Sequence, residues 1–178
     1  MTLEDLLQSR DARVAHQAEL LGKYPCKALL CLTVMPPGPV KRSSMSLKIA
    51  AAAVEAVRGA FSPVFEELRD LETGYEGYFI VDSDPVPAKK LAVTLEETHP
   101  LGRLFDLDVV ILKNDPVLRT GGQKQGGHPH FGPVFEDGPA PLSREALGLP
   151  SRTCIICGRP VRECMRERKH TTEELLAK

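Results

Sequence analysis

The chain has no tryptophan, and aromatic residues make up only 5% of its 178 residues. Proteins that hold single-stranded nucleic acid combine aromatic stacking with a basic groove. This sequence is short of both, because 23 Lys and Arg against 24 Asp and Glu leave a net charge of −1. No nucleic-acid partner is expected. Long apolar runs are missing too, none approaching the ~20 residues of a spanning helix. The first residues, Met1-Thr2-Leu3-Glu4-Asp5, are acidic where a signal peptide is basic. A cytoplasmic protein with no membrane partner is the expectation. The five cysteines, an odd number with three near the C-terminus, suit reduced thiols or metal ligands better than a disulfide framework.

What remains is globular composition, 42% apolar and 26% charged, in a length that forms one domain over 1–178. Leu3, Leu7, Val14, Ala18 and Leu21 recur at helical spacing behind Thr2, which predicts a capped helix over about 3–21. The unbroken apolar run 28–34, bounded by Pro25 and Pro36, predicts a strand buried on both faces. Ser43 or Ser44 then caps a second helix whose Met45, Ile49, Ala52, Ala53, Ala56, Val57 and Ala60 line one side, ending near Gly59 and Pro63. Residues 77–82 and 90–95 read as a hairpin across the turn-rich Ser83-Asp84-Pro85-Val86-Pro87. Residues 106–112 supply the last strong strand. This order predicts an α+β domain with a mixed β-sheet flanked by helices, followed by a short Cys/His-containing helical segment over 151–178. Residues 113–142, with Gly121-Gly122, Gly126-Gly127 and His128-Pro129-His130, read as a flexible insertion; a mobile His128/His130 pair with no third ligand makes a weak metal site.

Period 2 places Asp106, Asp108 and Val110 on one face of the last strand, with the carboxylates roughly 6 to 7 Å apart. Hard carboxylate oxygens at that spacing suit Mg²⁺ or Mn²⁺, ions that serve phosphoryl transfer; two solvated aspartates on an edge strand would look the same. Gly102 lets a phosphate approach the backbone and Arg103 offers it a planar fork. Lys41 leaves a turn after the buried strand, where open sheets bind ligands. A structural salt bridge is the alternative for either cation.

The segment from Glu96 through His99-Pro100-Leu101-Gly102-Arg103-Leu104-Phe105-Asp106-Leu107-Asp108-Val109 resembles the citrate lyase holo-acyl-carrier-protein synthase family, also called apo-citrate lyase phosphoribosyl-dephospho-CoA transferase. Three further patches resemble it as well: Leu7 to Arg13, Pro37-Gly38-Pro39-Val40-Lys41, and a run from Ser143-Arg144 through Arg152, Cys154, Cys157, Cys164 and His170. The resemblance implies a nucleotidyltransferase reaction. A serine of the citrate lyase acyl carrier subunit attacks triphosphoribosyl-dephospho-CoA, pyrophosphate leaves, and a phosphodiester links the prosthetic group to the carrier. In that reaction Asp106 and Asp108 would hold Mg²⁺ or Mn²⁺. Glu96, closing the preceding strand, would be a third ligand or a base, and His99 would bind a phosphate or orient that carboxylate.

Cys154, Cys157, Cys164 and His170 form a Cys-x2-Cys-x6-Cys-x5-His set suited to tetrahedral Zn²⁺. Six helical residues turn through about 600°, so Cys164 and His170 require a helix break between them; Thr171-x-x-Glu174 supplies a capping box for a fresh start. Buried reduced thiols are the alternative. Arg159, Arg162, Arg166 and Lys169 fall at helical spacing, a stripe for phosphates or an acidic protein, or simply a solvated face diluted by Glu163 and Glu167. The competing functional class is a small zinc-knuckle protein that docks a protein or nucleic acid through this stripe.

Overall fold

The computed structural model describes residues 2–38, 40–112 and 138–177. Helix α1 (Leu3–Lys23) starts at a capping box in which the Thr2 hydroxyl accepts the Asp5 N–H and the Asp5 carboxylate accepts the Thr2 N–H. Strand β1 (Ala28–Val34) follows, buried at every position but the half-buried Thr33. Helix α2 (Ser44–Phe61) is capped by Ser43 and Ser46 and buries Ile49, Ala50, Ala53, Val54 and Val57 along one side. Next come β2 (Phe65–Leu71), β3 (Gly74–Val81), α3 (Pro85–Thr98), a 3₁₀ turn over Gly102–Leu104, and β4 (Phe105–Leu112). The C-terminal stretch adds β5 (Pro139–Pro141), a second 3₁₀ turn over Glu145–Leu147, and two short helices, α4 (Val161–Glu167) and α5 (Thr172–Leu176).

The fold is α+β, with a sheet ordered β2-β3-β1-β4-β5 in which every described pair is antiparallel. The expected mixed sheet is corrected for a topological reason. Strands β3 and β4 run the same way and are joined by α3, but β1 lies between them instead of letting them pair. A second correction concerns 90–95, which is helical. Pro85 occupies the first turn of α3, where its fixed φ and missing N–H suit a helix start. The expected insertion 113–142 falls mostly outside the described residues, as do His128 and His130. Its last residues form β5 against Val110, Ile111 and Leu112.

The two faces of the sheet differ in chemistry. Leu30, Leu32, Val34, Phe79, Val81, Phe105, Leu107 and Val109 pack with α2 and Ala88 and Ala92 of α3 into the main core. The opposite face carries Leu29, Cys31, Tyr78, Ile80 and Val110 under Leu20 of α1. Towards the free end of that face the row turns polar: Arg13 of α1 donates to Glu76, and Gln17 donates to the Cys31 sulfur. On β4, odd-numbered side chains enter the main core while Asp106 and Asp108 stand on the α1 face.

Candidate active site and metal centre

The outer edge of β4 is where the fold concentrates charge. Strand β5 covers only Val110 to Leu112, so the backbone groups of the earlier half need other partners. Side chains provide them. Glu96 accepts the Leu107 N–H at 2.8 Å, Lys89 donates to the Leu107 carbonyl at 3.0 Å, and Arg152 donates to the Phe105 carbonyl. Lys89 and Glu96 are two helical turns apart on α3, which aligns them along the strand. Both are buried.

This arrangement also grips the two aspartates. The Lys89 Nζ reaches Asp108 Oδ1 at 3.2 Å and the Arg152 Nη1 reaches Asp106 Oδ1 at 3.5 Å. The cations are 6% and 14% exposed, whereas Asp108 and Asp106 are 42% and 40% exposed, so each carboxylate has a protein side and a solvent side. Crowding by surrounding protein, and then the neighbouring Asp108 charge, push the Asp106 carboxyl up to about 6 despite Arg152. Opposite Asp108 across the ladder sits Cys31. Its thiol is pushed up to about 12 by burial, so it stays protonated and offers no nucleophile near neutral pH.

Glu96 lies in the last turn of α3, not in a strand, and both of its oxygens are engaged: Oε1 by Leu107 and Oε2 by Arg144 at 2.6 Å. Arg144 spans on to Glu97 at 2.7 Å. His99 caps α3; its Nδ1 accepts the Leu101 N–H at 3.1 Å and its ring lies 4.9 Å from that of Phe105. This leaves Nε2 as the protonated nitrogen of the neutral ring. Gly102 is needed for packing, since a Cβ there would stand 2.5 Å from the Glu96 carbonyl oxygen and 2.7 Å from that of Leu95. The close approach it allows is that of its own helix end. Arg103, with no ion pair among the described residues, lines an open cleft of about 420 Å³ with Glu97, Ser151, Thr153 and Cys154. Lys41 stands exposed in the loop after β1, its Nζ 3.5 Å from the Gly38 carbonyl.

The C-terminal cysteines and histidine converge. Ligand atoms of Cys154, Cys157, Cys164 and His170 all lie within 4.8 Å of one another, so the set can hold a metal ion. Gly158, at φ +70°, turns the chain after Cys157, and Arg168 ends α4 in the left-handed region. Thr171 then opens α5 with the expected capping box, so the break required between Cys164 and His170 is present. The expected four-residue basic stripe is not formed, because α4 is too short. Only Arg162 and Arg166 share it, Arg159 being tied to Glu163 and Glu167 ahead of the helix. Arg162 is 76% exposed, 3.7 Å from Glu145. Neither Arg162 nor Arg166 contacts the aspartate edge.

Sequence reasoning assigned no role to Lys89, Arg144 or Arg152. The two arginines lie in the run that carries the family resemblance, but nothing local tells that they reach back 46 to 48 residues. Lys89 would have shown itself only once α3 was read as a helix, seven residues before Glu96.

Comparison with known proteins adds the identity of the family. The family model described as apo-citrate lyase phosphoribosyl-dephospho-CoA transferase matches residues 1–126 and 133–178. A protein of Streptococcus pyogenes serotype M18 (strain MGAS8232), named "Probable apo-citrate lyase phosphoribosyl-dephospho-CoA transferase", is 35% identical over 97% of this chain and 80% of its own length. One from Citrobacter koseri, named "Apo-citrate lyase phosphoribosyl-dephospho-CoA transferase", is 28% identical over 99% of this chain and 85% of its own. "Protein CitXG" of Haemophilus influenzae is 32% identical over the full chain, which matches 34% of that longer protein. The chain therefore belongs to the apo-citrate lyase phosphoribosyl-dephospho-CoA transferase family, and it is a transferase.

Proposed function

We propose that the protein transfers the phosphoribosyl-dephospho-CoA group from triphosphoribosyl-dephospho-CoA to a serine of the citrate lyase acyl carrier subunit, in the cytoplasm, by nucleotidyltransferase-type chemistry. The observation that carries this reading is the pair of half-exposed carboxylates, Asp106 and Asp108, backed by the buried Lys89 and the half-buried Arg152 on the strand that follows Arg103. The serine oxygen bonds to the α-phosphorus, the bond to the β-phosphate breaks, pyrophosphate departs and the hydroxyl proton passes to solvent. The protein supplies alignment and charge, not a nucleophile.

Two carboxylates with solvent-facing oxygens fit Mg²⁺ or Mn²⁺, which take one or two protein carboxylates and complete their shell with phosphate and water. Such an ion, when bound, neutralises charge on the triphosphate. Lys89 and Arg152 hold the carboxylates in place. Arg103 in the cleft, the free Nε2 of His99 and Lys41 of the neighbouring loop receive donor phosphates. Glu96, with both oxygens engaged, positions Leu107 and Arg144, and acts as neither ligand nor base. Arg162 and Arg166 face outward to meet an acidic carrier. The Cys₃His set takes Zn²⁺ as a separate structural centre, closed by four protein ligands.

Asp108→Asn tests the reading, because it keeps shape and removes one charge. Transfer should fall by about three orders of magnitude or more while the fold persists, the scale of a lost transition-state charge interaction of several kcal/mol. Intact mass of the carrier and released pyrophosphate are the readouts. Near wild-type modification of the carrier by the folded variant would refute the role of the pair. If the wild-type protein releases no pyrophosphate from donor and carrier with Mg²⁺, the zinc-knuckle binding module is the reading left standing.

A further inference from the structure

The Cys₃His set stands apart from the aspartate edge, yet the hairpin that carries it also carries Arg152. Thr153 and Pro160 form an antiparallel bridge, the Cys154 N–H donates to the Arg159 carbonyl at 2.6 Å, and the Val161 N–H donates to the Arg152 carbonyl at 2.8 Å. The backbone of Arg152 is therefore fixed by a turn that Cys154 and Cys157 close. From there its guanidinium reaches the carbonyls of Gly102 at 3.3 Å, Arg103 at 3.0 Å and Phe105, as well as the Asp106 carboxylate. The same module touches the loop of Lys41: a Cβ on Gly38 would lie 3.2 Å from the Thr172 methyl of α5.

Very little apolar material holds this module together. Its helices are seven and five residues long, and Cys154 and Cys164 are its only buried hydrophobic residues beyond position 150 among those described. Helices so short are not stable by themselves, and small modules without a core rely on metals or cross-links. The cysteines are free thiols, not disulfides. Cys157 Sγ is 3.4 Å from Cys164 Sγ and 3.3 Å from His170 Nε2. Donors on a tetrahedral Zn²⁺, with Zn–S near 2.3 Å and Zn–N near 2.0 Å, stand roughly 3.5 Å apart, and a Cys₃His set selects zinc.

We propose that a zinc ion held by Cys154, Cys157, Cys164 and His170 is the positioning device of the transfer site, fixing the hairpin from which Arg152 braces the 102–106 turn and Asp106. Arg152 is a positioning residue in this scheme. The role in transfer rests on the reading of Asp106 and Asp108 above; the metal and its hold on the β4 edge do not.

The test uses the full chain, prepared with zinc, stripped by chelation and reloaded, beside Cys157→Ser and Arg152→Ala. The zinc-loaded protein should carry about one ion per chain, as a closed four-ligand site does, and Cys157→Ser should carry none. Stripping should leave the sheet folded by circular dichroism, yet speed amide exchange at Leu107 and open 151–177 to protease. Zinc should restore both. Transfer should fall about 100-fold on stripping, mostly in kcat, as a misplaced site behaves. Arg152→Ala should keep its zinc, lose about as much turnover, and show little further loss when stripped. Absence of stoichiometric zinc, or unchanged exchange and proteolysis on stripping, overturns the proposal. So does full turnover in stripped protein or in Arg152→Ala. If the loaded wild type transfers nothing, the transfer reading has failed, while zinc content and exchange at Leu107 still decide the metal's hold on the edge.

Discussion

The two halves of the β4 edge solve one problem in two ways. At Val110 to Leu112 the outward backbone meets β5, a strand rich in proline. The Leu142 N–H donates to the Val109 carbonyl, and the alternation of an antiparallel ladder then turns the nitrogens of Pro139 and Pro141 away from β4, where a missing N–H costs nothing. At Phe105 to Leu107 the same kind of backbone meets Glu96, Lys89 and Arg152 instead. A backbone-closed edge is inert. A side-chain-closed edge brings charge to the strand, and here that charge also partners the two aspartates on its α1 face. Covering half the edge with long side chains is thus what makes an ionic site out of an ordinary sheet border.

That contrast breaks most severely at Glu96. Glu96→Ala leaves the Leu107 N–H without a partner and removes one of two carboxylates from Arg144, whose side chain is 10% exposed. Breaking a buried pair from one side costs about 3–5 kcal/mol. Ala140→Gly, in the half closed by backbone, should cost only about 0.5–1 kcal/mol. Denaturant unfolding of both variants measures the difference; equal losses would show that the side chains merely decorate an edge that is stable without them.

The same division explains which parts of the molecule are legible in sequence. Strand β1 and helix α2 can be read because an apolar run and a Ser43 cap are local signals. Strand β2 gave no such signal: Glu66, Glu67, Arg69 and Asp70 crowd an edge strand whose inward side is only half-buried. Helix α3 reads as a strand because Leu91, Val93 and Leu95 alternate, while its buried face is built from Ala88, Lys89, Ala92, Val93 and Glu96, two of the five charged. Charged residues turned inward to serve a neighbouring strand defeat hydrophobic periodicity. For the site, period 2 suffices to place Asp106 and Asp108 on one face. Arg144 and Arg152 are joined to it only by the fold.

A smaller effect is expected at Gly102, which sets how closely the turn before β4 packs on the end of α3. Gly102→Ala places a methyl group within 2.7 Å of two carbonyl oxygens of backbone that cannot move aside cheaply. About 1–3 kcal/mol of stability should be lost, the usual cost of overpacking. The displacement falls on the carbonyls that Arg152 holds, so turnover should drop together with the melting temperature. If stability falls and turnover does not, the side-chain-closed half tolerates movement, and the geometry of the edge matters less than its charge.

The smallest effect, and the one of opposite sign, belongs to Asp106. Its carboxyl titrates at about 6 in the fold, above the value of 3.8 for a free aspartate, because surrounding protein and the Asp108 charge disfavour ionisation. A raised folded pKa means that the native state holds the proton more tightly than the unfolded chain does. Well below pH 3.8 both states are protonated and the group has no effect. As pH rises through 3.8 towards 6 the unfolded chain ionises first and native stability falls; well above 6 the loss is constant. Asp106→Asn removes that loss. In metal-free buffer the variant should match wild type near pH 3 and exceed it by about 1 kcal/mol at pH 7, a value discounted from the full shift because the side chain is 40% exposed and screened by water. Unfolding curves of the two proteins across pH 3 to 8 give the measurement. A variant less stable than wild type at pH 7 would mean that the Arg152 partnership outweighs the crowding, and that the charged half of the edge stores no electrostatic strain for a ligand to relieve.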